Sequence, residues 1–164
     1  MVTALPLKIH PDPILHQTSR PLTAAEVTSP TIARLILDIE KTMKEHQGIG
    51  LAAVQVGQLV RLVLIATKDG SLALLNPAIT SYSWKKETGE EGCLSIPNTY
   101  AQVKRSVRIK VKALDAKGKP LRFSAEGLFA RVIQHEVDHT NGILITDRSK
   151  AVTTADQPAN GRKR

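Results

Sequence analysis

AEGLFARVIQHEVDHTNG, residues 125–142, reads as one helix, from about Ala125 to Asn141. Ser124 stands where an N-cap hydroxyl is useful, and Glu126 falls in the first turn, where a carboxylate meets the positive end of the helix dipole. Leu128, Val132 and the His135-Glu136 pair recur on related faces, and Gly142 closes the pattern. Inside it lies His135-Glu136-Val137-Asp138-His139, an H-E-x-x-H sequence. A four-residue step passes one helical turn by only a small angle. Both imidazoles therefore leave the same face and can hold one metal ion. Glu136 points away from that pair, yet can reach an activated water as proton acceptor and then protonate a leaving amine. Asp138 is either a surface charge or the acceptor for the free N–H of a ligating histidine.

The segments around this helix are mostly strands. Across residues 106–114, Val107, Ile109, Val111 and Ala113 alternate with Arg108, Lys110 and Lys112, the pattern of a half-buried strand. Further strands are expected at 60–66, 72–75 and 77–83, with Asp69-Gly70 as a hairpin turn, and at 121–124 after the turn Lys117-Gly118-Lys119-Pro120. Residues 85–92 are polar, contain Gly89 and Gly92, and read as a loop. A second helix is expected from Pro30 to about His46. Ser29 caps it, Pro30 opens it, and Ile32, Leu35, Ile36, Ile39 and Met43 form its apolar stripe. Gly48 ends it as a left-handed residue. Residues 1–22 read as irregular. The sum is an α+β fold, mainly antiparallel sheets packed around a central metal-binding helix. Residues 1–147 form one metallohydrolase domain, and residues 148–164 are expected to be a mobile basic tail.

A chain of 164 residues is long enough to bury a core without disulfides. Aromatics make up only 3%, so Ile, Leu, Val and Ala must build that core. Cys93 is the single cysteine, which excludes an intrachain disulfide and points to a reducing compartment or a metal-bound thiolate. The segment MVTALPLKIHPDP has no basic stretch followed by an apolar run, so it does not read as a signal peptide. The longest aliphatic run, residues 62–66, is too short to span a bilayer. A cytoplasmic protein is expected. The net charge of +8 fits either a solvated surface or attraction to an anionic partner. The basic residues are spread along the chain without the interleaved aromatics of a base-stacking surface, so sequence-specific nucleic-acid recognition is not expected.

Two histidines leave a catalytic metal one protein ligand short. After His139 there is no further histidine, and the only carboxylates are Asp147 and Asp156. His10, His16 and His46 lie in irregular or helix-terminal segments. Cys93, within Glu91-Gly92-Cys93-Leu94-Ser95, is the best remaining candidate. Residue chemistry alone leaves it evenly balanced between a ligand and a small buried hydrophobe.

Three segments together resemble the motifs of the peptide deformylase family: Gly48-Ile49-Gly50-Leu51-Ala52-Ala53-Val54-Gln55, then Glu91 to Ser95, then Gln134 to His139. Their order and spacing match, and Pro11-Asp12-Pro13-x-Leu15 is similar to the family's opening. The resemblance implies removal of the formyl group from N-terminal formylmethionine of nascent polypeptides, releasing formate. It implies one divalent ion per chain, characteristically Fe²⁺, with Zn²⁺, Ni²⁺ or Co²⁺ able to substitute. Cys93, His135 and His139 would be its ligands and Glu136 the general acid/base. The side-chain amide of Gln55 and the backbone N–H of Leu94 would stabilise the oxyanion formed when a metal-activated hydroxide attacks the formyl carbonyl. Gly48 and Gly50 would let substrate approach the backbone, and Ile49, Leu128 and Val132 would line a pocket for the methionine side chain.

The chain departs from the family pattern in places. Thr140 follows His139 where Leu is commoner. Tyr100 stands where some bacterial members have an Arg that contacts the substrate backbone, which bears on peptide preference. Arg105 does match a family Arg and could pair with Glu91 or Asp138. The apolar, basic C-terminal helix of many bacterial members is missing, so the resemblance implies at most a transient ribosome contact, with Arg162-Lys163-Arg164 available to RNA. Two rival readings are a broader metallopeptidase and a non-enzymatic basic module that binds ribosomal RNA.

Overall fold

In a computed structural model, which describes residues 1–155, the elements run α1 (Ala24–Val27), α2 (Pro30–Glu45), β1 (Gly50–Ala52), β2 (Leu62–Thr67), β3 (Gly70–Tyr82), β4 (Lys86–Cys93), β5 (Ile96–Ser106), β6 (Arg108–Leu114), β7 (Pro120–Glu126), α3 (Gly127–Thr140), α4 (Ile145–Arg148) and β8 (Val152–Thr154). The layering follows from β2. Its residues Leu62, Val63, Leu64 and Ile65 are all buried, because successive side chains leave a strand on opposite faces and both faces are covered. Leu62 and Leu64 pack with Ile39 and Met43 of α2, whereas Val63 and Ile65 pack with Ile133 and Val137 of α3. Full burial of each such side chain contributes about 1.5–3 kcal/mol.

β2 is one member of a five-stranded antiparallel sheet ordered β1-β2-β3-β6-β7. A second sheet, β4-β5-β8, is also antiparallel. Helix α3 contacts strands of both sheets, and β4 delivers Cys93 at its end. The fold is thus the expected mixture of helices and antiparallel sheets around α3. Among the described residues, no helix is long and apolar enough to cross a membrane.

Several expected boundaries are corrected. Residues 85–92 form β4 rather than a loop, because they pair with β5 from Lys86↔Ser106 to Gly92↔Tyr100. Tertiary pairing outweighs their polar composition. Residues 72–75 and 77–83 belong to one strand, β3, interrupted by an irregularity at Asn76, whose φ is 51°. The Asn76 side chain exchanges two hydrogen bonds with Leu22, which fixes that irregularity. Helix α3 begins at Gly127, since β7 continues to Glu126 opposite Arg108. Gly127, at φ 62°, makes the corner, and Glu126 rather than Ser124 is the N-cap. The left-handed residue after α2 is Gln47, at φ 55°, not Gly48. Gly48 is needed for space instead: a Cβ there would lie 2.8 Å from Leu94 Cδ1. Within the expected tail, Val152–Thr154 forms β8 and pairs with residues 99–101. Arg162-Lys163-Arg164 lies outside the described residues.

Candidate metal centre

Cys93 ends β4, and the chain turns at once through Leu94 and Ser95 into β5. His135 and His139 project from successive turns of α3. Cys93 Sγ lies 3.4 Å from His139 Nε2, and the two Nε2 atoms are 3.1 Å apart. All three donor atoms lie within 4.8 Å of one another. Tetrahedral bonds of about 2.0–2.1 Å to nitrogen and about 2.3 Å to sulfur put donors roughly 3.3–3.6 Å apart. The Cys93–His139 separation falls in that range and the His135–His139 separation slightly below it, so the residues present fit a divalent ion after a small adjustment.

The electrostatics agree as well. Burial first, then the neighbouring His135 and Arg105, push His139 well below the usual imidazole range and hold it in the neutral form that binds metals. Burial opposes protonation of His135, but its hydrogen bonds to Cys93 and Glu91 outweigh that and raise it to about 10. Metal binding at Nε2 would therefore displace a proton from His135.

His135 is oriented by Glu91, whose Oε2 lies 3.0 Å from His135 Nδ1. This turns Nε2 toward Cys93 and His139. Glu91 is itself clamped by Arg105 through two 2.9 Å hydrogen bonds and by Arg131 Nη1 at 2.8 Å. Burial would raise the Glu91 carboxyl, yet the bonds to His135 and Arg105 hold it at about 2. Asp138 does not take the part of histidine acceptor. It is buried and pairs with Arg105 and Arg148 instead. Arg105 thus pairs with both Glu91 and Asp138.

Glu136 is 4% exposed, and its Oε2 has no hydrogen-bond partner among the described residues. Burial, the largest influence, raises its carboxyl to about 7 although His135 opposes the shift. Such a group can hold or release a proton near neutrality. Gly50 abuts it: a Cβ at Gly50 would overlap the carboxylate and lie 2.9 Å from both Cγ and Cδ.

Gln55 sits buried in the short 3-10 turn Ala53–Val56. Its Oε1 accepts from Ala52 N–H at 2.9 Å, which fixes the amide. Its Nε2 consequently donates to Ser95 Oγ at 3.1 Å and lies 3.7 Å from Cys93 Sγ. Leu94 N–H donates to no backbone carbonyl in the turns and loops of the described residues.

These groups open into a cleft of about 600 Å³. Gly48, Ile49, Gly50, Leu128, Val132 and Tyr100 line it, and Tyr100 lies against Gly92. Ile49 and Leu128 are 56% and 69% exposed, whereas Val132 is buried. Gln55, Cys93, Leu94, His135 and Glu136 also line the cleft, whereas His139 belongs to the donor cluster without lining it. Sequence reasoning missed two residues here. Arg131 was within reach of it, because a residue four positions before His135 shares its helix face. Ser95 gave no signal until the turn after Cys93 folded back on Gln55.

Residues 4–155 match the family model for polypeptide deformylase. The peptide deformylase of Rhizobium meliloti is 45% identical over 151 residues, covering 89% of this chain and 85% of that one. That of Brucella suis is 44% identical over 147 residues, covering 87% and 82%. A Met-Ala-Ser-bound crystal structure of class I type b peptide deformylase from Acinetobacter baumannii has a TM-score of 0.86 to this fold, at 35% identity, over 90% of this chain and 99% of that one.

Proposed function

The chain belongs to the peptide deformylase family, metal-dependent hydrolases that deformylate nascent peptides, and on that premise we propose how its own residues perform the reaction. Cys93, His135 and His139 hold one divalent ion, Fe²⁺ in the resting protein, with Zn²⁺, Ni²⁺ or Co²⁺ as substitutes. When bound, the ion supplies the Lewis acidity that makes water a nucleophile near neutral pH.

Glu136 takes the proton that the attacking water gives up. Gln55 Nε2 and Leu94 N–H donate to the formyl oxygen as its carbon becomes tetrahedral and negative charge collects there. The C–N bond then breaks. Glu136 returns its proton to the departing amine, and the products are formate and a free N-terminal methionine. Ile49, Leu128 and Val132 receive the methionine side chain. Gly48 and Gly50 let the peptide backbone approach closely. The substrate meets the enzyme in the cytoplasm, during transient contact with the ribosome.

One observation carries this reading: a buried carboxylate with a free oxygen stands beside a Cys-His-His donor set at the floor of a cleft. Glu136→Gln tests it. Formate release from formyl-Met-Ala-Ser, assayed without oxygen, is expected to fall by about two to four orders of magnitude. Bound metal, by elemental analysis, is expected to stay stoichiometric. Full activity in this variant would overturn the assignment.

A further inference from the structure

The chain has one tryptophan, Trp84, and it is 99% exposed. It lies between Tyr82, itself 58% exposed, and the pair Lys85-Lys86. The segment that presents it is firmly held. Ser83 N–H donates to Arg108 O at 2.8 Å, and Ser83 Oγ donates to Lys85 O at 2.8 Å while accepting from Arg108 N–H at 3.0 Å. Val107 N–H donates to Lys85 O at 3.0 Å, and Ser106 Oγ donates to Ser83 O at 3.1 Å. An exposed indole on an anchored turn offers its face for stacking.

A second, smaller cleft of about 190 Å³ is lined by Tyr82 and Lys86, the residues two positions either side of Trp84. Lys104, Arg105 and Arg148 line it too. Asp138 is the acidic group in its lining, and it is engaged by Arg105 and Arg148. Nearby, Glu87 pairs with Lys85 and Glu126 with Arg108. Lys86 and Lys104 form no ion pair among the described residues, so the cleft keeps surplus positive charge. The expectation that no aromatic accompanies the basic residues is therefore corrected. Tyr82 and Trp84 adjoin Lys85-Lys86, and folding adds Lys104 and Arg148 from distant parts of the chain.

The geometry points to a binding site for single-stranded nucleic acid, with a backbone phosphate in the Lys86–Lys104–Arg148 cleft and a neighbouring base stacked on Trp84. An aromatic face beside a basic groove is the recurring arrangement for strands bound without sequence preference. A protein partner is less well matched, because the cleft is polar and its free charges are of one sign. Arg105 is common to this cleft and to the clamp on Glu91, but Trp84, Lys86 and Lys104 take no part in the metal centre, so binding is read without turnover.

Because Trp84 is the only tryptophan, intrinsic fluorescence reports on the platform itself. Titration of the metal-loaded protein with a twelve-nucleotide oligouridylate at low salt is expected to give saturable quenching that weakens as salt rises. With a labelled strand followed by anisotropy, Trp84→Ala is expected to weaken binding about tenfold or more. The double change Lys86→Glu and Lys104→Glu should weaken it further and flatten the salt dependence. Heparin should bind wild type and Trp84→Ala alike, without quenching. Formate release from formyl-Met-Ala-Ser should be unchanged in all variants. Absence of saturable quenching, equal strand affinity of Trp84→Ala and wild type, or equal quenching by heparin would each overturn the site.

Discussion

At Gly50, the Cβ of any other residue would stand 2.9 Å from Glu136 Cγ and Cδ. No flexible tip can yield there, because the Glu136 side chain is buried on a helix packed between two sheets. Gly50→Ala should therefore displace the carboxylate while leaving Cys93, His135 and His139 in place. A displacement of about 1 Å costs roughly a hundredfold in rate. We expect kcat for formyl-Met-Ala-Ser to fall by about that factor, with metal content and circular dichroism unchanged. An unaltered kcat would show that the crowding is relieved elsewhere. At this scale the H-E-x-x-H chemistry was legible, because the spacing of His135 and His139 on a helix is local geometry. The role of Glu91 was not: its hydrogen bond to His135 joins residues 44 positions apart.

Among the elements, α1 is too short to persist alone, since a four-residue helix hardly exceeds its own nucleation cost. It is held by a reciprocal cap. Glu26 N–H donates to Thr23 Oγ at 3.3 Å, and Thr23 N–H donates to Glu26 Oε2 at 2.8 Å. Arg20 adds bonds of 2.9 and 2.6 Å to the same carboxylate. The Arg20 hydrogen bond first, then that of Thr23, lowers the Glu26 carboxyl to about 2. Its folded pKa thus lies below its unfolded value near 4.5. The stabilisation is present above about pH 4.5 and is lost as the pH falls toward 2. Glu26→Gln removes this pH dependence, so its Tm should drop less than the wild-type Tm between pH 5 and pH 3. Parallel melting curves would show whether the difference exists. Elements with strong internal period, such as α2 and β6, were readable from sequence. Strand β4 was not, because its polar residues become a strand only by pairing with β5.

For the whole molecule, the proposed ligands join β4 to α3, elements that are far apart in the chain. A metal that binds only the folded arrangement stabilises it by mass action, by about 4 kcal/mol when the free ion is a thousandfold above its Kd. For a domain of this size that corresponds to roughly 10 °C in Tm. Chelation should lower the wild-type Tm by about this amount. Cys93→Ala should begin lower, carry no stoichiometric metal, and respond little to chelator. Full metal occupancy in that variant would exclude the thiolate as a ligand.

What the sequence determined by itself lay within single helices or strands: the face shared by His135 and His139, the apolar stripe of α2, the alternation of β6, and hence an α+β fold. It also carried the three motifs that place the chain in its family. Only the tertiary structure decided that Glu91 rather than Asp138 orients His135, that Gly50 makes room for Glu136, and that Lys104 and Arg148 line one cleft with Tyr82 and Lys86. The physical reason is range. Backbone periodicity is written in neighbouring residues, whereas hydrogen-bond partners and steric limits depend on which distant segments the packed core brings together.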